Sequence, residues 1–179
     1  MKGTEPVSNI KPLALAISAY GSLVTLASAL RSPLLLAVRL YWGWQFAQTG
    51  WGKLHNLDKV TGFFTGLNLP LPAITATCVS GLEFFGGLLL IVGLGSRLVA
   101  LLLTVNMSVA YWTADHEALT SVFSDPGKFY NADPYTFWFA ALLVLVFGPG
   151  RLALDLLIGR NMGARIPSAA QTKPALSHS

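Results

Sequence analysis

Glu83 is the only charged residue in an apolar stretch, 73–93, that is long enough to cross a membrane. A charged side chain at mid-bilayer depth costs roughly 2.5–3.5 kcal/mol on insertion scales, so Glu83 must face protein or a wet cavity and must find a partner. Candidates lie on the preceding apolar segment. Arg39, Gly43, Phe46, Gly50 and Lys53 alternate spacings of four and three, which is one face of a helix. Arg39 and Lys53 stand about 21 Å apart along that face. Arg39 lies inside the apolar segment, and an antiparallel second segment would bring Glu83 to a similar depth. An Arg39–Glu83 ion pair is therefore the simplest expectation. Such a pair is either a clasp that fixes helix register or part of a polar pocket for a lipid-soluble head group or a proton path. In the second case Arg39 or Lys53 donates to a carbonyl oxygen and Glu83 moves protons.

Other polar groups are close in sequence to this set. Gln45, Gln48 and Thr49 crowd one half of the first segment, and Thr104, Asn106 and Ser108 enter a third. Interhelical hydrogen bonds explain Thr104 and Ser108, whereas the Asn106 amide can both donate and accept in a pocket. Asp115, His116 and Glu117, with His55 in another connection, are metal-ligand types, but adjacent residues cannot all converge, and no metal is expected. There is no Gly-rich phosphate loop, no CxxCH haem motif and no nucleophile triad.

The elements that position these groups are membrane helices. The 179 residues are 53% hydrophobic and only 11% charged, far below the charge of a soluble domain. One cysteine, Cys78, excludes an internal disulfide or CxxC pair. The net charge of +4 is spread singly over loops and ends, which does not suggest nucleic acid. Lys2 and Lys11 precede apolar residues, but Thr4-Glu5-Pro6 interrupts the basic region, so cleavage as a signal peptide is not expected. Four spans are predicted, at 33–52, 73–93, 96–114 and 134–148. Gly93-Leu94-Gly95 makes a tight turn, Asp133-Pro134 a helix start, and Gly148-Pro149-Gly150 a stop or kink. Residues 13–30, rich in Ala and Ser, read as an interfacial or bundle-packed helix broken at Arg31-Ser32-Pro33. Arg151 and Asp155 are spaced for an i,i+4 ion pair.

The expected fold is thus an all-α integral membrane four-helix bundle. It comprises an N-terminal segment (1–32), a four-span domain (33–158) and a disordered tail (159–179). Lys and Arg cluster before the first span, in the 93–97 turn and after the fourth span, which predicts both termini in the cytoplasm of a bacterial inner-membrane protein. Trp51, Trp112, Tyr130, Tyr135 and Trp138 then form an outer aromatic belt.

The pattern over roughly 33–158 resembles the DoxX family of small bacterial membrane proteins. The match rests on Arg39, Phe46 and Gly50-Trp51-Gly52-Lys53-Leu54, followed by Phe63-Phe64 and Leu69-Pro70. Next come Glu83 with Gly86-Gly87-Leu88-Leu89-Leu90, the Gly93-Leu94-Gly95-Ser96-Arg97-Leu98 turn, and Gly148-Pro149-Gly150-Arg151-Leu152 with Leu154-Asp155. The resemblance implies a four-helix membrane bundle. Some members are linked to thiosulfate:quinone oxidoreduction or terminal quinol oxidases, others to thiol-redox and superoxide-detoxifying membrane assemblies. The recurring polar positions carried onto this chain are Arg39, Lys53, Glu83, Arg151 and Asp155.

Three functions compete. One is a quinone-contacting subunit of a membrane oxidoreductase, with Glu83 catalytic and Arg39, Lys53 and Asn106 binding substrate. It would have no covalent cofactor and would depend on protein partners. The second is a non-catalytic anchor, since Gly43, Gly50, Gly86 and Gly87 suit helix contacts equally well. The third is a small-solute or proton transporter, for which four spans offer little pathway and no inverted repeat is evident.

Overall fold

The computed structural model describes residues 10–155, which form seven helices and no strand. They are α1 (Ile10–Leu54), α2 (Leu57–Gly66), α3 (Pro72–Val92), α4 (Ser96–Thr113), α5 (His116–Thr120), α6 (Pro126–Asn131) and α7 (Pro134–Phe147). Four long helices sit where four spans are predicted, and the fold is all-α. Helices α1 and α3 are long and apolar enough to cross a membrane, and α7 is apolar but only 14 residues long. Short helices α2, α5 and α6 occupy the connections read from the sequence as loops. The polar start of the chain (1–9) and the expected disordered tail lie outside the described residues.

Glycine sets the closest approach, between α1 and α3. A Cβ on Gly43 would lie 2.8 Å from the Gly87 carbonyl oxygen, and one on Gly87 would lie 2.5 Å from the Ala47 nitrogen. At Gly50 it would collide with the backbone of Phe84. Backbone against backbone at these points fixes the register of the two helices. The remaining interior is apolar: Phe46, Leu90, Val99, Leu103, Met107 and Val144 pack with Ala100 and Ala141. Edge-on contacts of Phe137 with Phe46 and Trp42, centroids 4.8 and 5.3 Å apart, join α7 to α1.

The expected break at Pro33 does not occur. Helix α1 runs through it for 45 residues, about 67 Å at 1.5 Å per residue, roughly twice the hydrocarbon thickness of a bilayer. Proline removes one N–H, and a long apolar helix tolerates this where neighbouring groups hold the chain. Here Arg31 reaches across to the Phe147 carbonyl at 2.7 Å. Residues 13–30 are helical as expected, but they extend α1 and are exposed on all sides.

The turns follow their residues. Gly93 and Gly95 take left-handed conformations, φ 79° and 59°, and close the α3–α4 hairpin. Gly148, at φ 78°, ends α7. Pro134 occupies the first turn of α7, while the Asp133 side chain makes no capping bond.

Candidate functional site

Glu83 is 1% exposed and is paired with Lys53, not Arg39: Lys53 Nζ lies 2.7 Å from both carboxylate oxygens. The expected Arg39–Glu83 pair is therefore corrected, and the register explains why. Gly43 facing Gly87 and Gly50 facing Phe84 put Glu83 level with about residue 49 of α1. At 1.5 Å per residue, Lys53 is then about 6 Å away along the axis and Arg39 about 15 Å. Side chains also lean toward the N-terminus of their own helix. In this antiparallel pair, Lys53 and Glu83 lean toward each other, whereas Arg39 leans away.

Asn106 completes the constellation from α4, its Nδ2 donating to Glu83 Oε1 at 3.3 Å. Three helices thus converge on one buried carboxylate. Its cation is unequally placed, because the Lys53 side chain keeps 37% of its exposure. Beside Lys53, Trp51 lies against Phe84 and His55, ring centroids 5.2 and 4.1 Å apart, and Trp51 is half exposed. The site is therefore a buried acid reached through a partly open lysine, next to an aromatic surface.

Arg39 serves the opposite end of the bundle. It is 1% exposed and donates to four carbonyls: Leu90 (2.8 Å) and Ile91 (3.1 Å) at the end of α3, and Pro149 (2.6 Å) and Leu152 (3.2 Å) beyond α7. The last carbonyls of a helix have no partner within it, and an arginine fork is well suited to them. Gly93 makes room, since a Cβ there would overlap the guanidinium. Arg39 thus ties the α3 terminus to the segment after α7 and is not part of the Glu83 site.

The expected Arg151–Asp155 pair is also absent. Asp155 accepts from the backbone N–H groups of Gly95 (2.7 Å) and Ser96 (2.9 Å), the first turn of α4, which has no cap of its own. Partial burial opposes ionisation of Asp155, but the Ser96 and Gly95 bonds and the Arg39 charge outweigh it and hold its pKa below the ordinary value. Two N–H donors and a helix N-terminus outcompete one exposed arginine. Arg151 instead uses its backbone N–H, 3.3 Å from Ser32 Oγ.

Of the other polar residues, Ser108 is interhelical, accepting from Trp138 Nε1 at 3.0 Å. Thr104 and Thr49 bond carbonyls of their own helices. In the connections, Glu117 pairs with Lys128 at 2.6 Å, which lowers the glutamate pKa. Burial and the nearby Asp133 raise that of Asp115. No three of His, Cys, Asp or Glu gather as a metal cluster among the described residues.

The Lys53–Glu83 pair, the glycine-set α1–α3 crossing and the Gly93–Gly95 hairpin all fall within one stretch of sequence that a family model recognises. The DoxX family model matches residues 34–116. Residues 34–116 form a DoxX domain. The chain is a membrane protein, and DoxX proteins are often associated with oxidoreductase functions. The match covers Arg39, Lys53, Glu83 and Asn106 and ends as α5 begins, so Arg151 and Asp155 lie beyond it. No curated protein and no solved structure matches this DoxX chain.

Proposed function

We propose that this DoxX protein is the membrane subunit of an oxidoreductase assembly and that Lys53, Glu83 and Asn106 form its quinone-facing site. One observation carries the reading: a carboxylate 1% exposed is connected outward through a lysine that is 37% exposed. Burying both charges of a clasp costs desolvation that their attraction often fails to offset, whereas here the lysine keeps access to the surface. This pair instead forms a two-residue relay from the surface to the middle of the bundle.

The residues suit a quinone head group. Lys53 Nζ and Asn106 Nδ2 are donors for a carbonyl oxygen, and Trp51 with Phe84 offers flat apolar surface beside them. A bound quinone supplies two-electron, two-proton chemistry. Glu83 accepts or returns a proton at its carboxylate, and Lys53 turns from Glu83 toward the ligand, which its exposure permits. A single cysteine gives the chain no dithiol of its own, so electrons pass through a partner protein. In a bacterial inner membrane, the distribution of Lys and Arg supports an orientation with the basic end cytoplasmic.

Gentle-detergent purification of the native complex tests this reading, with partners identified by mass spectrometry and quinone by chromatography. A redox partner with near-stoichiometric quinone, lost in Glu83→Gln, is expected. Partners without quinone, and turnover unchanged in Glu83→Gln, would overturn it. A second reading, a non-catalytic anchor for partner enzymes, is favoured by the exposed apolar length of α1 over residues 13–30. In that case truncating this segment releases the partners while Glu83→Gln does not.

A further inference from the structure

At the end of the bundle away from Glu83 lies a cavity of about 810 Å³ between α1, the α3–α4 turn and the segment after α7. Three arginines line it: Arg31, Arg97 and Arg151. Arg31 is held in place by the Phe147 carbonyl at 2.7 Å, with its guanidinium 5.5 Å from the Phe147 ring centroid. Arg97 rests against Gly148, where a Cβ would come within 3.3 Å of Nη2. Among the described residues, neither the Arg97 nor the Arg151 side chain donates a hydrogen bond or forms an ion pair, and both are exposed. The one acid on the cavity wall, Asp155, is already committed to the Gly95 and Ser96 N–H groups. Residues 156–179 contain Arg160, Arg165 and Lys173 and no Asp or Glu to neutralise the cluster.

We propose that this cavity binds the phosphate of an anionic phospholipid head group. Guanidinium forks bind phosphate oxygens in paired hydrogen bonds, and basic pockets between membrane helices are suited to acidic lipid head groups. Free inorganic phosphate presents the same oxygens, but the cavity is not purely polar. Leu98 and Phe147, 64% and 48% exposed, stand at its rim and provide apolar surface for the glycerol and first acyl carbons. It lies where the apolar parts of α3, α4 and α7 end, which is head-group depth in a bilayer. Gly148 in the wall leaves room for the Arg97 guanidinium, and Arg31 is already oriented. This site is separate from the Glu83 constellation and does not depend on its reading.

The test uses the full chain in nanodiscs of phosphatidylcholine containing a small fraction of phosphatidylglycerol. Bound lipid is counted by native mass spectrometry after transfer to detergent. The wild type is expected to retain phosphatidylglycerol in preference to phosphatidylcholine. Arg97→Gln/Arg151→Gln should weaken retention about twenty-five-fold, allowing roughly fivefold for each arginine. Lys59→Gln/Lys128→Gln, with the same loss of charge in the two outer connections, should leave it unchanged. Equal retention by wild type and the arginine variant overturns the proposal. So does displacement of the lipid by millimolar inorganic phosphate, which would make this a site for a free oxyanion. Should the double variant fail to fold, Arg151→Gln alone carries the test, because its side chain bonds to no described residue.

Discussion

Replacing Lys53 with Met should cost more stability than replacing Glu83 with Gln, although each removes one end of the same ion pair. With Lys53 gone, Glu83 keeps its 1% exposure and retains only the 3.3 Å contact from Asn106. Removing one partner of a fully buried pair costs about 3–5 kcal/mol. Lys53 is 37% exposed, so water already screens part of the interaction, and about 2–3 kcal/mol is expected. With Glu83 changed to Gln, the volume is kept, Asn106 retains an oxygen to donate to, and Lys53 can turn toward water. About 1 kcal/mol is then expected. The double variant should cost less than the two singles combined, with a coupling of about 1 kcal/mol or more. The assay is reversible unfolding in mixed micelles, followed by helical circular dichroism. A Glu83→Gln cost equal to or above that of Lys53→Met, or additive singles, would refute the reasoning that burial of the pair is one-sided.

Gly50→Ala and Gly87→Ala should each destabilise by about 1–3 kcal/mol, since a methyl meets the backbone of the facing helix. Gly52→Ala, which faces open space, should be neutral or slightly stabilising in the same assay. Arg39→Lys keeps the charge but cannot span the α3 terminus and the 149–152 carbonyls together; hydrogen exchange should rise at Gly95, Ser96 and Asp155 without change in quinone retention. Asp155 has a depressed pKa, so its stabilising contribution is complete above its unfolded value near 3.8 and is lost as pH falls through its lower folded value. Stability measured down the acid range should therefore fall less steeply in Asp155→Asn than in the wild type.

The long helices are legible because apolar length and glycine punctuation determine them locally. Gly93-Leu94-Gly95 and Gly148-Pro149-Gly150 end helices where expected, and Glu83 stands out against its apolar neighbours. Its partner is not the arginine that lies inside the apolar segment, because similar depth alone does not fix helix register. The needed signal was present in the sequence: glycines at 43, 50 and 87 set the α1–α3 register, and the backward lean of helical side chains selects Lys53. Asp155 was assigned to Arg151 by local spacing, yet the uncapped N-terminus of α4, close only in space, supplied two better donors. Helix α1 runs through Pro33 beside a contact of Arg31 with the Phe147 carbonyl, which no local pattern contains. The arginine cavity is of the same kind, as its three residues are scattered along the chain.

The most direct test is binding of a short-chain quinone to the purified protein in nanodiscs, followed by quenching of Trp51. The other four tryptophans are replaced by Phe to isolate that signal. Saturable quenching, weakened at least about tenfold in both Glu83→Gln and Lys53→Met, is the result expected if Lys53, Glu83 and Asn106 face a quinone. Saturable binding of equal affinity in all three proteins, or no saturable binding in the wild type, would contradict that assignment and leave the pair as a clasp between helices.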